Sequence, residues 1–238
     1  MPIDFDGTTT MVSCGSNTII SNITNMTLSA WVYMRTVGEN NSGRIIAKET
    51  VLDTGWDFAI QSVSGTRRLL FEHDYSTTDL QISSVGTAVN VNVWTHVAMT
   101  WTGTNSNIGV TFYVNGFVME NSGGVNGNGS LRLDSSQGLY IGNSGDRTRT
   151  FDGIISEVAF WSTTLNSVEI LNLATSKISG IPLQTSPDKL VGYWPLNDFS
   201  NNVSITGSNS IIDRSTGNSH GSPSGTIVAK AEEVLSYP

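Results

Sequence analysis

Apolar and polar positions alternate with a period of two along most of the chain. In MTLSAWVYM (26–34), Leu28, Ala30, Val32 and Met34 fall on one side and Thr27, Ser29, Trp31 and Tyr33 on the other. That is the pattern of a strand with one face in a core. Comparable runs follow at GRIIAKE, GWDFAIQS, RRLLFEHDY, DLQISS, WTHVAMTWTG, VTFYVNGFVME, GLYIGN, GIISEVAFWS and LVGYWPL. Asn115-Gly116 sits between apolar runs in YVNGFV and predicts a tight hairpin, because both residues tolerate positive φ. Strands at this density, without helical patterns between them, predict an all-β fold: a two-sheet antiparallel jelly-roll sandwich. One short helix is expected near the end of the domain, in TTLNSVEILNLATSK, where Leu165, Val168, Ile170, Leu171 and Leu173 approach helical spacing. Asn166 or Thr164 caps its start, and Glu169 stands where a capping box with Asn166 needs it. The helix is expected to lie across one end of the sandwich.

The tripeptide FDG occurs at 5–7 and again at 151–153. The sequences that follow, TTTMVS and IISEVAFW, share nothing, and no self-similar period lies between the two copies. A two-repeat architecture is therefore excluded. The chain reads as one domain over 1–238, in which 178–238, starting with the proline-bearing ISGIPLQTSPDK, is a C-terminal extension that completes or flanks the sandwich. A chain of 238 residues can bury a sizeable core without disulfide or metal staples.

Charge narrows the partners. The formal net charge is −8, from 12 basic and 20 acidic residues. No basic patch larger than Arg67-Arg68 or Arg147-Thr148-Arg149 is present, which argues against nucleic acid. An acidic surface is compatible with cations and uncharged glycans. Cys14 is the single cysteine, so no intrachain disulfide forms, and an inert thiol is expected. His73, His96 and His220 lie far apart in sequence and give no metal-ligand spacing; His96, on a strand, reads as structural. No apolar run reaches membrane-span length, so membrane insertion is not expected. The start, MPIDFDGTTTMV, lacks the basic and apolar regions of a signal peptide. The chain is thus expected to be made in a cytoplasm and to act extracellularly or on a virion surface.

The order FDG, LSAWVY, RIIAKE, WTHVAMTW, FYVNGFVM, LYIGN, FDGIISEVAFWSTTLNSVEI resembles the laminin-G-like domains of the concanavalin A-like lectin/glucanase superfamily. The resemblance covers roughly residues 3–175, and it implies a two-sheet jelly roll with both FDG strands in one domain. It also raises catalysis, since glucanases of the superfamily carry E-x-D-x-E or E-x-D-x-x-E on one strand. Here Glu72 and Asp74 share a face, but positions 76 and 77 are Ser and Thr. The carboxylate set of a glycosidase is incomplete, so no catalytic residue is assigned and Glu72 and Asp74 are read as rim acids. Glu157 has no paired acid and is expected to face solvent or cap loops.

A binding module needs rim loops, exposed aromatics and polar side chains. The candidate glycan-binding residues are Trp56 and Tyr75, placed near turns, with Asn143, Arg147 and Arg149 in the loop GNSGDRTRTF. That loop lies where the resemblance implies a ligand or metal rim. Calcium is the one cofactor considered, with Asp74 and Asp146 as ligands, because Ca²⁺ gathers six to eight oxygens; DRSTGNSHG, with Asp213, Ser215 and Asn218, is a further loop able to wrap an ion. No organic cofactor is expected. The function expected is non-enzymatic surface recognition or adhesion, through glycans. The alternative is a structural decoration or adhesion subunit of a larger protein assembly such as a phage virion, and a glucanase-like hydrolase stands third.

Overall fold

The computed structural model describes residues 1–50, 54–176 and 181–230. Its strands, numbered in chain order, form two antiparallel eight-stranded sheets. The first sheet runs β10 (Phe117–Met119), β9 (Val110–Val114), β8 (Trp94–Trp101), β3 (Met26–Thr36), β13 (Asp152–Trp161), β1 (Ile3–Asp6), β16 (Val228–Ala229), and β14 (Leu190–Trp194) also pairs with β13. The second runs β11 (Asn121–Val125), β7 (Leu80–Ser84), β6 (Thr66–His73), β5 (Thr54–Val63), β4 (Ser42–Thr50), β12 (Tyr140–Ile141), β2 (Met11–Ser13), β15 (Ser222–Ser224). The sheets close on each other through aromatic pairs. Phe58 stacks on Phe112 at 6.4 Å between ring centroids, Trp56 meets Phe160 edge-on at 5.3 Å, and Phe71 leans on Trp101 at 6.2 Å. Each partner sits at an inward position of a period-two strand, which is why the alternation in sequence becomes one shared core.

The two FDG copies are partners. β1 pairs antiparallel with β13, with Phe5 opposite Gly153 and Asp6 opposite Asp152. Asp6 closes its own turn, accepting the backbone N–H groups of Thr8 and Thr9 at 2.9 and 2.8 Å. Asp152 instead accepts Arg35 Nε at 3.0 Å and the Thr36 hydroxyl at 2.7 Å, fastening β13 to β3. The same tripeptide thus ends one strand and begins another. The hairpin at Asn115-Gly116 has both residues at positive φ, 49° and 85°, as a type I′ turn requires.

β13 carries a bulge between Ser156 and Ala159, where Glu157 adopts φ 52°. The bulge aims its side chain at the outer face of the sheet, beside Trp31 and Leu173. Glu157 is buried there, accepting the Tyr193 hydroxyl at 2.5 Å and the Asn197 amide at 2.9 Å. It caps the loop after β14 and does not face solvent: an extra residue in a strand re-aims the side chain.

Helix α1 (Ser167–Thr175) begins at Asn166 with the full capping box to Glu169. It does not lie across an end of the sandwich. It packs on the outer face of the first sheet, where Leu165, Ile170 and Leu173 meet Ala98, Tyr113, Ala159, Trp161 and Tyr193. Those sheet positions are apolar although they face away from the main core, so they require a cover. The C-terminal segment enters both sheets, through β14 and β16 in the first and β15 in the second. Its loop at DRSTGNSHG is closed on itself. Buried Asp213 accepts the backbone N–H of Tyr193, Ser215 and Ser219, each at 2.9 Å, leaving no carboxylate oxygen idle for an ion.

Candidate functional site

With part of the first sheet covered by α1, the outer face of the second sheet holds the larger recess in which strand side chains meet solvent. Trp56, Phe58 and Ile60 belong to the core, so alternation aims Asp57 and Ala59 outward. The register lines up Ala47, Asp57, Glu72 and Gln81 across four strands. Beside this row runs a second, Arg44, Ala59, Leu70 and Ser83. Small residues at 47 and 59 leave the middle of the face low. The turn 74–79 and the loop 142–151 rise at its sides, enclosing a cleft of about 500 Å³.

Charge dominates this cleft. Arg44 is almost fully buried, with Nη2 3.0 Å from Asp57 Oδ2, Nε 2.9 Å from Glu49 Oε1, and Nη2 3.9 Å from Glu72. Burial opposes its charge, but the three carboxylates hold the guanidinium above its usual range. Burial pushes the Asp57 carboxyl well up; Arg44 pulls it back, and Glu49 and Glu72 push it further. Glu49 is raised for the same first reason, burial, against the pull of Arg44. Asp146 differs. Burial is outweighed by hydrogen bonds from the Ser144 hydroxyl at 2.5 Å and the Thr148 hydroxyl at 2.8 Å, which hold it below the ordinary carboxylate range.

The loop 142–151 is built by Asn143. Fully buried, it donates to Thr150 Oγ1 at 2.7 Å and accepts the N–H groups of Ser144 and Arg149 at 2.8 and 3.0 Å. Asn143 therefore shapes the rim from beneath and is not available to a ligand. Arg149 lines the cleft, as do Asp74 and Asp146; Arg147 is exposed outside it at φ 62°. The exposed aromatics expected at 56 and 75 are both buried. Trp56 is an inward position whose Nε1 donates to Asp134 Oδ2 at 3.0 Å, reaching the cleft only from its floor. Tyr75 packs beside His73 and against Gly127. Turn proximity misled for both, because the strand pleat and the neighbouring loop decide exposure. Arg44 and Glu49 are the cleft residues that sequence reasoning did not single out as ligand-binding. Asp57 carries a signal of its own: an acid flanked by Trp56 and Phe58 in the middle of an apolar strand has no reason to be there for packing alone.

A calcium ion does not fit these residues as they stand. Both oxygens of Asp146 are engaged by hydroxyls, and the described residues gather no cluster of three or more metal-ligating His, Cys, Asp or Glu. Glu72, near the end of β6, and Asp74, in the turn after it, both line the cleft, and Ser76 and Thr77 stand where a third carboxylate would follow. Among the described residues no helix is long and apolar enough to cross a membrane.

The family model of the laminin-G type described as the concanavalin A-like lectin/glucanases superfamily matches residues 6–171. The chain belongs to this family. The laminin-G-like match spans both FDG strands and most of α1, and it contains every residue named above as lining the cleft. No curated protein matches the sequence. Among solved structures, a candidate carbohydrate-binding protein from Bacteroides ovatus is similar over 97% of this chain and 61% of its own, with a TM-score of 0.62 and 20% identity. This laminin-G-like chain therefore spans less than two thirds of that neighbour. A heptameric SAP-like pentraxin from Limulus polyphemus is similar over 72% of this chain and 80% of its own, at a TM-score of 0.55 and 17% identity. At these identities the likeness is one of fold.

Proposed function

We propose that this laminin-G-like chain is a non-enzymatic binding module that holds a glycan in the cleft on the outer face of the second sheet. The observation that carries the reading is the asymmetry of the sandwich. α1 covers the apolar patch on one outer face, whereas the other keeps a polar recess of about 500 Å³ with buried charged side chains at its floor. Burying ionic groups carries a desolvation cost that an apolar face would avoid, and a recess of this size suits a short oligosaccharide. The carbohydrate-binding description of the Bacteroides ovatus neighbour is in keeping with it. Hydrolysis is not the reading favoured, because Glu72 lacks the strand-mates of the glucanase pattern. Action outside the cell, or on the outside of a particle, goes with this role.

The test is a glycan array probed with the intact chain, repeated with Arg149→Ala and Glu72→Gln. Retention of a defined set of glycans, lost in either variant, is the expected result. Retention of none, or retention indifferent to both substitutions, would sink the reading. Calcium enters as a separate arm: adding the ion or a chelator is expected to leave binding unchanged.

A second reading, a subunit on the exterior of a larger assembly, is favoured by one observation. Phe117 and Val118 are 69% and 62% exposed on the edge strand β10, and an apolar edge invites pairing. Native mass of the purified material decides between a free chain and an assembly.

A further inference from the structure

Inside the cleft, hydrogen-bond donors are already directed at the cleft's own acceptors. Arg44, Gln81, Ser144 and Thr148 each turn a donor toward a lining carboxylate, and Arg149 donates from Nη1 to the Thr148 carbonyl at 2.9 Å. Among the lining side chains, six are carboxylates and two are guanidiniums. Asp57 stands out. It is 1% exposed, yet Oδ1 has no donor partner. Its cross-strand neighbour is another carboxylate, Glu72. Two carboxyls therefore face each other at the floor, and apart from Arg44, 3.0 Å from Asp57 and 3.9 Å from Glu72, only a shared proton bridges them. A buried acceptor without a fixed donor is costly, and here the pair lines a recess that a ligand enters.

Which ligand group completes this arrangement follows from donors and charge. A carboxylated or sialylated sugar would add an acceptor and a like charge, which is repelled. A neutral hydroxyl lends one donor and leaves the excess negative charge. A protonated primary amine lends three donors and a positive charge in a compact volume. We propose that the cleft selects an oligosaccharide carrying a protonated primary amine, a glucosamine-type unit, with its ammonium seated against Asp57 and Glu72. This rests on the glycan reading above and adds the charge class of the sugar.

A proton balance follows. Burial raises the Asp57 and Glu49 carboxyls in the free cleft. Arriving positive charge lowers them again, so any proton that either holds is released on binding. The groups that face this site are Arg44 and Glu49 from β4, Glu72 from β6, Asp74 and Asp79 from the turn, and Asp146 and Arg149 from the loop.

The experiment is calorimetric titration of the intact chain with β-1,4-glucosamine oligomers, their fully N-acetylated counterparts and sialyllactose. Each titration is run in two buffers of different ionisation enthalpy, at a pH where the free amine is protonated. Expected is binding of the amino oligomer about tenfold tighter than the acetylated one, as one desolvated charge contact supplies, with proton release and no binding of sialyllactose. Asp57→Asn and Glu72→Gln are expected to bring the amino and acetylated oligomers to parity. Glu72 is partly exposed, with 28% of its side chain accessible, so Glu72→Gln keeps the test valid where a change at buried Asp57 impairs folding. Equal or tighter binding of the acetylated oligomer, or a preference that survives Glu72→Gln, overturns the amine assignment and leaves the glycan reading standing. Absence of binding to all three, together with an empty glycan array, overturns both.

Discussion

At the scale of single residues, the molecule places charge where packing alone would not. Arg44 is the keystone of the cleft: its removal leaves buried Asp57 and half-buried Glu49 without that counter-charge. Arg44→Met is expected to destabilise the fold by about 3–5 kcal/mol at neutral pH, the range for breaking a buried pair. The loss should shrink as pH is lowered, because the raised carboxyls of Asp57 and Glu49 then take up protons. Denaturant unfolding of both proteins at pH 7 and pH 5 checks this, and a loss that stays constant with pH would contradict it. Two histidines act in the opposite sense. Burial lowers His73 and His96 from 6.5 to about 3, so both are neutral in the fold. The unfolded chain binds their protons below pH 6.5 and the folded chain does not. Stability from these two residues is therefore complete above pH 6.5 and is lost as pH falls toward 3, by roughly a few kcal/mol each. The double variant His73→Phe, His96→Gln is expected to flatten the fall in melting temperature between pH 6.5 and 4. Of these residues, His96 was legible in sequence as a structural strand residue. Arg44 was not legible as a keystone, because a charged residue near a strand start usually faces solvent.

At the scale of elements, close approach fixes which strands can neighbour which. Gly142, at φ 78°, lies against the ring of Phe5; a Cβ there would stand 2.0 Å from it. Gly142→Ala is therefore expected to impair folding, through both a left-handed backbone and a clash between the first FDG strand and the rim loop. Soluble yield and circular dichroism are the readouts, and a normally folded protein would show the contact to be dispensable. The helix is a milder case. Asn166→Ala removes the cap at a cost of about 1 kcal/mol, expected to lower the melting temperature by about 2–4 °C while leaving ligand binding intact, since α1 covers the sheet opposite the cleft. The cap was readable from Asn166 and Glu169 alone. The face that the helix covers was not, because that depends on the outward apolar positions of strands distant in sequence.

For the whole molecule, the open question is whether the C-terminal segment folds with the rest. Cys14 reports on it. The thiol is buried next to β15, and burial raises its pKa well above the ordinary value. It is expected to react with a disulfide reagent only as the chain unfolds, with a denaturant midpoint equal to that of tryptophan fluorescence. Thiol exposure at lower denaturant would reveal a separable C-terminal segment. The matched 6–171 region would then be the cooperative unit, with 181–230 an addition to it.

Sequence alone determined the strands, because a period-two pattern has one physical solution when one face must be buried. It determined the hairpin at Asn115-Gly116 and the helix start for equally local reasons. It failed at β11 and β15, where NSGGV and SPS carry no alternation and are strands only because a neighbouring edge offers backbone hydrogen bonds. It brought Asp74, Asp146 and Arg149 to notice as loop residues but misjudged Trp56, Tyr75 and Asn143, whose exposure depends on which side of the pleat they occupy and what covers it. The cleft itself belongs to tertiary structure. Its floor joins Arg44, Asp57 and Glu72 from three strands, and only cross-strand register brings buried charges of opposite sign within 3 Å.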